Sequence, residues 1–286
     1  MVATPIGNRA DVTLRALETL RAVDTVFAED TRHAAGLLAH HGIRARFAAL
    51  HEHNARAAAR AVCRLLAAGK DVALLSDAGT PAISDPGAIA VAAVRAAGHA
   101  VVPIPGPSAA VAALSVAGMA GPYAFIGFLP AKAGARRTEL EAWRAFAHTL
   151  VFYEAPHRIL ECVDDLATVF GGARTVVLAR ELTKLFETVH AGPLAAARAW
   201  LEADPDRQRG EFVLVVSGAR IDAAASRAAE GERVLRLLLE ALPVKSAARL
   251  AAEITGARKN ELYPRALELK EQSPRPRKRS AAKLRP

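Results

Sequence analysis

Short apolar runs alternate with longer helical patterns through the first 118 residues of the chain. The runs that predict buried strands are residues 1–3, 24–28, 45–50, 71–75 and 99–103. The segments between them carry apolar residues at helical spacing or are rich in alanine. Strands that alternate with helices predict a mostly parallel sheet with helices on both faces. We therefore expect a first α/β domain over residues 1–118.

A break that contains Gly118 and Pro122 precedes a second set of apolar runs. The strands predicted after it are residues 123–128, 149–153, 175–179 and 211–216, with 186–190 as a further pairing segment. Helical patterns separate several of these strands. The predicted fold class is therefore α/β, with a second α/β domain over residues 119–220.

The C-terminal part of the chain is helical in pattern and basic. Residues 220–232 are polar and alanine-rich, which is consistent with a linker, and three short helical patterns follow at 233–241, 246–255 and 259–267. Their size and charge predict a small helix-turn-helix-like module over residues 231–270. A plain helical cap on the second domain fits the same pattern. The last segment, residues 271–286, is predicted to be a disordered basic tail.

Charge and cysteine content narrow the class of protein. The net charge is +9 and the isoelectric point is near 10.1, which favours an acidic partner, with nucleic acid ahead of an anionic membrane surface. Only Cys63 and Cys162 are present, far apart and without metal-type spacing. This predicts a reducing, cytoplasmic location without a disulfide framework or a zinc site.

The ends and the uncharged central stretch give no sign of a membrane segment. Polar residues arrive within ten positions of the start, so we expect no signal peptide. Residues 101–130 contain no charged side chain, but four prolines and several glycines interrupt them, which argues against a membrane span. The first strand is unusually short, and this suggests that a few residues precede Met1.

Turn motifs follow the predicted strands at the edge where ligands bind in open α/β sheets. Three belong to the first domain, TPIGN, SDAGTPAISDPG and IPGPSA, and two to the second, FYEAPHR and ARELTK. SDAGTPAISDPG also fits an ordinary strand-to-helix connection, which uses the same small and polar residues. No Walker A sequence is present and no GxGxxG follows the first strand, so a phosphate-cradling or dinucleotide site is disfavoured.

Together with EDTR, GFLPAK and GEFVLVV, these motifs occur in an order that closely resembles the tetrapyrrole-methylase-like superfamily. Within it, the chain is similar to the ribosomal RNA small-subunit methyltransferase I group, which methylates the 2′-oxygen of a cytidine in 16S rRNA. The resemblance covers residues 2–269. It implies two α/β domains with S-adenosylmethionine (SAM) in the cleft between them, a homodimer, and a C-terminal helix-turn-helix extension. Relatives carry a few more residues before VATPIGN.

The resemblance also implies the cofactor site. The residues that it assigns to SAM are Ile6, Asp77, Ala78, Gly79, Thr80, Gly106, Pro107, Ser108, Ala109, Tyr153, Glu154 and Ala155. Methyl transfer from a sulfonium is an in-line displacement, so alignment of the reacting atoms supplies most of the catalysis. We therefore expect these loops to position the cofactor.

A ribose hydroxyl is a weak nucleophile that benefits from a base. Carboxylates predicted at the cleft are Glu29, Asp30 and Glu181 as catalytic residues, with Glu154 as a further candidate. The side chains predicted to hold the substrate RNA are Arg32, His157, Arg158, Arg180 and Lys184. EDTR could equally be a helix cap with an internal ion pair, Glu181 and Lys184 a surface pair, and His157 a structural residue.

His51, Glu52 and His53 are weak support for a metal, because a third ligand is missing from the pattern, and no metal is assigned. The predicted partners are 16S rRNA or the small ribosomal subunit, without a membrane. Two other functions remain open. One is a tetrapyrrole-precursor C-methyltransferase on the same fold, and the other is a non-catalytic RNA-binding or ribosome-assembly factor.

Overall fold

The structure, a computed structural model, describes residues 1–220 and 223–272. The chain forms two compact units, Met1–Ala219 and Arg220–Pro286. The predicted tail at 271–286 lies outside the described residues, except that positions 271 and 272 end the last helix.

The strands of the described residues are β1 (Thr25–Ala28), β2 (Phe47–Ala49), β3 (Val72–Leu74), β4 (Tyr123–Phe128), β5 (Thr149–Glu154), β6 (Thr175–Arg180), β7 (Thr188–Pro193) and β8 (Phe212–Val216). The helices of the first unit are α1 (Leu14–Ala22), α2 (Thr31–His40), α3 (Ala55–Ala67), α4 (Ala88–Ala96), α5 (Ala109–Val116), α6 (Ala133–Trp143), α7 (Ile159–Phe170) and α8 (Leu194–Glu202). The helices of the second unit are α9 (Ala223–Leu239), α10 (Val244–Thr255) and α11 (Lys259–Gln272).

The first sheet is parallel, in the order β2-β1-β3, as the alternation of strands and helices predicted. Val26 and Phe27 of β1 point to opposite faces, and helices cover both faces. The strands predicted at residues 1–3 and 99–103 are wrong as regular strands. They are reduced to a single parallel bridge between Val2 and Ile104. Prolines cause this, because Pro103 and Pro105 flank Ile104 and cannot donate to a strand ladder.

The second sheet is mixed, in the order β4-β5-β8-β6-β7. β4 and β5 are parallel, whereas the remaining neighbours are antiparallel. One face packs on α7 and α8, and the other packs on α5 through Ala110 and Ala113. Because α5 comes from the first predicted domain, that domain contributes to the core of the second sheet. The domain boundary at residue 118 directly follows this helix and stays a prediction.

The second unit is a three-helix module. Its core is built from small side chains, with Leu235, Ala247 and Ala251 completely buried. The expectation of a linker at residues 220–232 is wrong from Ala223 onward, because α9 begins there. Alanine has the highest helix propensity, so this alanine-rich segment continues the helix instead of ending it. Within the described ranges, none of the helices is both long and apolar enough to cross a lipid bilayer.

Candidate functional site

Three loops meet at the carboxyl edge of the first sheet. The N–H of Thr4 donates to the oxygen of Gly79 at 2.9 Å, and the N–H of Gly79 donates back to Thr4 at 3.1 Å. The hydroxyl of Thr80 then donates to the oxygen of Pro107 at 3.2 Å. These bonds join TPIGN, SDAGTP and IPGPSA into one surface, as their predicted place at the sheet edge implies.

The second sheet supplies the opposite wall. The hydroxyl of Thr183 accepts a hydrogen bond from the N–H of Asn8 at 3.0 Å. The hydroxyl of Tyr153 accepts one from the N–H of Ala110 at 3.2 Å, at the start of α5. Burial raises the pKa of Tyr153, and its ring packs edge-on against Phe125 and Phe128. The FYEAPHR and ARELTK loops therefore face the three loops of the first sheet.

A cavity of about 460 Å³ lies between these walls. The predicted cofactor residues that line it are Ile6, Asp77, Ala78, Gly79, Thr80, Ser108, Ala109, Tyr153, Glu154 and Ala155. The remaining two, Gly106 and Pro107, stand behind the lining. Pro107 accepts the hydroxyl of Thr80, and a Cβ on Gly106 would come within 2.9 Å of the Cβ of Ala3. Gly106 thus permits close packing of two loops.

Sequence reasoning missed part of the lining. The additional residues are Ile83, Ser84, Asp85, Phe128, Pro156, Ala179, Leu182, Glu211, Phe212 and Val213. Ser84 and Asp85 belong to the SDPG half of the first-domain motif, so that motif held a signal for them. The apolar residues come from strand ends of the second sheet. Only the strand order and register show which of them face the cavity.

Three carboxylates, those of Glu29, Asp77 and Asp85, share one wall of the cavity. Burial, and then the charges of Glu29 and Asp77, raise the pKa of Asp85 to about 6. Burial and the charge of Asp77 also raise the pKa of Glu29. Asp77 accepts a hydrogen bond from the backbone N–H of Asp30 at 2.9 Å, which joins EDTR to SDAGTP. The wall carries negative charge and suits a cationic or hydroxyl-bearing ligand.

Asp30 lies outside this wall. Its side chain caps α2 by accepting from the N–H of Arg32, and it forms a two-pronged ion pair with the guanidinium of Arg32. These hydrogen bonds lower the pKa of Asp30 well below its ordinary value. The contacts of Asp30 are therefore those of a helix cap with an internal ion pair, and we do not retain Asp30 as a base. Arg32 itself is 90% exposed.

Glu181 also lies outside the cavity lining. It holds Lys184 at 2.8 Å and accepts the backbone N–H of Glu211 at 2.9 Å. Burial acts to raise the pKa of Glu181, but these hydrogen bonds outweigh it and lower the pKa. Lys184 contacts Glu211 as well, at 2.9 Å. Glu181 therefore positions Lys184, which lines the cavity, and its own carboxylate is a poor proton acceptor.

Two of the arginines predicted to bind RNA are held by contacts within the protein. The guanidinium of Arg158 pairs with the buried carboxylate of Glu154 at 2.6 Å. The buried guanidinium of Arg180 donates to the oxygens of Asp206, Arg209 and Phe186. These contacts give both side chains structural roles, and we do not retain them as phosphate contacts. His157 is exposed on a 3₁₀ turn and lines neither of the cavities described here.

A second, basic cavity of about 550 Å³ adjoins the first. Ile6, Asp77, Ala78, Lys184 and Glu211 line both cavities. The second cavity adds the cationic side chains of Arg9 and Arg32, together with His33. A ligand in the first cavity would therefore face an opening with basic side chains at its rim.

Backbone strain concentrates at this site. Among the described residues, positive φ angles at non-glycine positions occur at Ala82 and Ser84 in the SDAGTPAISDPG loop and at Glu181 and Thr183 in the ARELTK loop. Such conformations cost about 1–3 kcal/mol each and cluster at functional sites. Both loops contribute other residues to the cavity lining, Asp77 to Thr80 from the first and Leu182 and Lys184 from the second.

Comparison with known proteins identifies the relatives of this architecture. The model of the tetrapyrrole (corrin/porphyrin) methylases matches residues 1–198, and the model of the RsmI C-terminal HTH domain matches residues 225–270. The chain is 52% identical over 270 residues to the ribosomal RNA small subunit methyltransferase I of Pseudomonas aeruginosa, covering 94% of this chain and 96% of that protein. The protein of the same name from Escherichia coli O157:H7 is 51% identical, with 94% of each chain covered.

Solved structures share the fold over about three quarters of this chain. A uroporphyrin-III C-methyltransferase from Thermus thermophilus matches with a TM-score of 0.56 and 23% identity, over 76% of this chain and 92% of that one. The methyltransferase CobJ matches with a TM-score of 0.57 and 18% identity, with the same coverage. These likenesses confirm the predicted fold class, and the match to the HTH domain confirms the helix-turn-helix-like module.

Proposed function

Because the chain belongs to the tetrapyrrole (corrin/porphyrin) methylase family, within its ribosomal RNA small-subunit methyltransferase I group, we propose that it methylates the small-subunit rRNA with SAM as the methyl donor. The proposed acceptor atom is the ribose 2′-oxygen of a cytidine in 16S rRNA. The observation that carries this proposal is the cavity between the two sheet edges, which opens into a basic neighbour.

The residues of the first cavity fit SAM. Its volume of about 460 Å³ lies in the range of small-molecule sites. Phe128, Tyr153 and Phe212 offer aromatic surface for an adenine, while the acidic wall suits the ribose hydroxyls and the cationic groups of the molecule. SAM supplies an electrophilic methyl group on a sulfonium. The chain's own part is to hold this donor, exclude water and align the acceptor oxygen with it.

The basic cavity is the proposed position of the phosphates beside the target nucleotide, with the ribose of that nucleotide directed into the first cavity. Arg32 and Lys184 can contact phosphate, and Lys184 stands at the junction of the two cavities. The net charge of +9 adds a long-range attraction to RNA. The C-terminal module, which matches the RsmI HTH domain, is a second proposed RNA contact. Action as a cytoplasmic homodimer is part of the proposal and rests on the family resemblance.

Two other functions are less well supported. A tetrapyrrole C-methyltransferase shares the fold, but the relatives at about 50% identity are named as rRNA methyltransferases, and the HTH domain is matched as well. A non-catalytic RNA-binding factor would have no use for the cofactor-sized cavity with its acidic wall.

Methyl incorporation separates these three functions. The purified chain is incubated with methyl-labelled SAM and, in parallel, with small ribosomal subunits, free 16S rRNA or uroporphyrinogen III. Label in an RNA sample alone supports the proposal, whereas label in the tetrapyrrole overturns it. A non-catalytic RNA-binding factor would label nothing and would gain no thermal stability from SAM. A protein that binds SAM gains about 2.7 kcal/mol of stability when the SAM concentration is a hundred times the dissociation constant.

A further inference from the structure

The carboxylates near the cavity fall into two groups. The paired group consists of Asp30 with Arg32, Glu154 with Arg158, and Glu181 and Glu211 with their shared cation Lys184. Within residues 1–220 and 223–272, no cation pairs with Glu29, Asp77 or Asp85. An adjacent cation stabilises the ionised form of a carboxylate, so the paired group accepts a proton poorly. The unpaired group therefore contains the candidates for proton transfer.

Asp85 stands on a turn that the fold holds in place. Ala82 and Ser84 before it have φ angles of 70° and 62°, and Gly87 after it has a φ of 150°. The side chain of Ser84 lies against Gly127 of β4. A Cβ on Gly127 would come within 2.9 Å of the hydroxyl oxygen of Ser84. This contact ties the turn to the second sheet. Asp85 is thereby fixed at the wall between the two sheets.

We propose that the carboxylate of Asp85 is a catalytic residue that accepts the proton of the ribose 2′-hydroxyl, an inference that rests on the proposed function. The proton passes from the 2′-oxygen to an Oδ atom of Asp85. The electron pair released on the oxygen forms the bond to the methyl carbon, and the electron pair of the methyl–sulfur bond stays on sulfur as a neutral thioether. Asp85 then returns the proton to solvent.

The surroundings of Asp85 support this role. The titratable groups that face it are Glu29 at the end of β1, Asp77 after β3 and the hydroxyl of Tyr153 on β5. The charged groups Glu154, Lys184 and Glu211 line the rest of the cavity. Burial and the two neighbouring carboxylates raise the pKa of Asp85 to about 6, an effect that the nearby Ser76 side chain partly offsets. A base whose pKa lies near the operating pH is both ionised and effective.

The test compares Asp85→Asn with Glu29→Gln, since each removes one negative charge from the same wall. Single-turnover methylation of small ribosomal subunits or 16S rRNA is followed across pH 5–9 at saturating SAM. Calorimetry gives the dissociation constants of SAM and S-adenosylhomocysteine. Carbon-13 NMR of aspartate-labelled protein without cofactor follows the carboxyl titration directly.

The proposal predicts that Asp85→Asn lowers the rate about a hundredfold or more and removes the acidic limb of the pH profile, while SAM still binds. Glu29→Gln keeps the acidic limb but moves it to lower pH, because Glu29 helps to raise the pKa of Asp85. One aspartate resonance titrates near pH 6 in the wild type and is missing from Asp85→Asn.

Several results would overturn this role. They are an acidic limb that survives in Asp85→Asn, the same loss of rate in both variants, a loss of SAM affinity that explains the lower rate, and the absence of an aspartate titrating near pH 6. A wild-type chain that methylates no RNA would overturn the proposed function itself. The wild-type assay therefore distinguishes failure of the function from failure of the base.

Discussion

Thr4 and Gly79 hold each other through two backbone hydrogen bonds, of 2.9 and 3.1 Å, across the floor of the cavity. Gly79 has a φ of 76°, a conformation that residues with a Cβ adopt only with strain. Space is not the obstacle, because a Cβ would meet Ile6 and Pro107 only at ordinary contact distances of 3.5 and 3.7 Å. Backbone conformation therefore fixes this part of the cofactor site.

We expect Gly79→Ala to weaken SAM binding about tenfold or more, which corresponds to about 1.4 kcal/mol. The new methyl group strains the Thr4–Gly79 pair and alters a surface that lines the cavity. Gly69→Ala is the matched control, since Gly69 has a φ of 71° and lies in open space away from the cavity. Calorimetric titration with SAM measures both variants. Equal loss of affinity in the two would contradict the proposed role of Gly79.

Arg32→Ala should weaken RNA binding for every sequence tested and reduce the slope of log affinity against log salt by about 1. The reason is that Arg32 is exposed and stands at the rim of the basic cavity. Arg60→Ala removes the same charge from an exposed position on α3 that lines neither cavity. Fluorescence anisotropy at several salt concentrations measures the slope. If Arg60→Ala changes the slope as much as Arg32→Ala does, RNA affinity depends on net charge and not on the position of Arg32.

Lys184→Met should lower the free energy of unfolding at pH 7 by about 1 kcal/mol, after allowance for solvent screening of these partly exposed groups. Without Lys184, the carboxylates of Glu181 and Glu211 lose their shared cation. Lys184 lowers the pKa of Glu181, so this stabilisation is present above the ordinary pKa of a glutamate and disappears as the pH falls through the lowered value.

Denaturant unfolding of Lys184→Met at pH 7 and near pH 3 tests this linkage, with Lys70→Met as the control. Lys70 pairs with Asp24 in an exposed position, where an ion pair contributes little. A deficit in Lys184→Met that is as large near pH 3 as at pH 7 would show that lost packing, and not charge, is responsible.

Asp85→Asn should stabilise the fold at pH 7.5 and leave it unchanged near pH 4. The pKa of Asp85 is raised in the folded state to about 6, so the folded protein binds the proton more tightly and loses stability as the pH rises from about 4 to about 6. Because Asp85 is only half-buried, we expect a gain of only about 1 kcal/mol, or 2–4 °C in Tm. Scanning calorimetry at both pH values measures it, with the exposed Asp11→Asn as control. A lower Tm at pH 7.5 would contradict the assignment.

The sequence predicted those parts of the fold that depend on local pattern. Apolar runs that end in turn residues predicted β1 and β3, and the family resemblance carried by the turn motifs predicted about half of the cavity lining. Where local chemistry competed, the prediction was wrong. Prolines on both sides of Ile104 replaced a strand by one bridge, and alanines extended α9 into a presumed linker.

The roles of the charged residues depended on contacts that a pattern does not contain. Asp30 and Glu29 are neighbours in EDTR, yet one pairs with Arg32 while the other lines the cavity. Asp85 lies within the SDAGTPAISDPG motif, but its place at the wall follows from the path of a strained turn. Phe212 lines the cavity because β8 lies between β5 and β6 in the sheet. Pairing, turn path and strand order are tertiary properties.

The position of the transferred methyl group is the decisive measurement for 2′-O-methylation of small-subunit rRNA. The wild-type chain first labels small ribosomal subunits or 16S rRNA with methyl-labelled SAM. The RNA is then digested to nucleosides, which are separated by chromatography and identified by mass spectrometry. We predict that the label is recovered as 2′-O-methylcytidine and that Gly79→Ala reduces it at limiting SAM. Label on a nucleobase, on a different nucleoside, or in neither RNA sample would contradict the account.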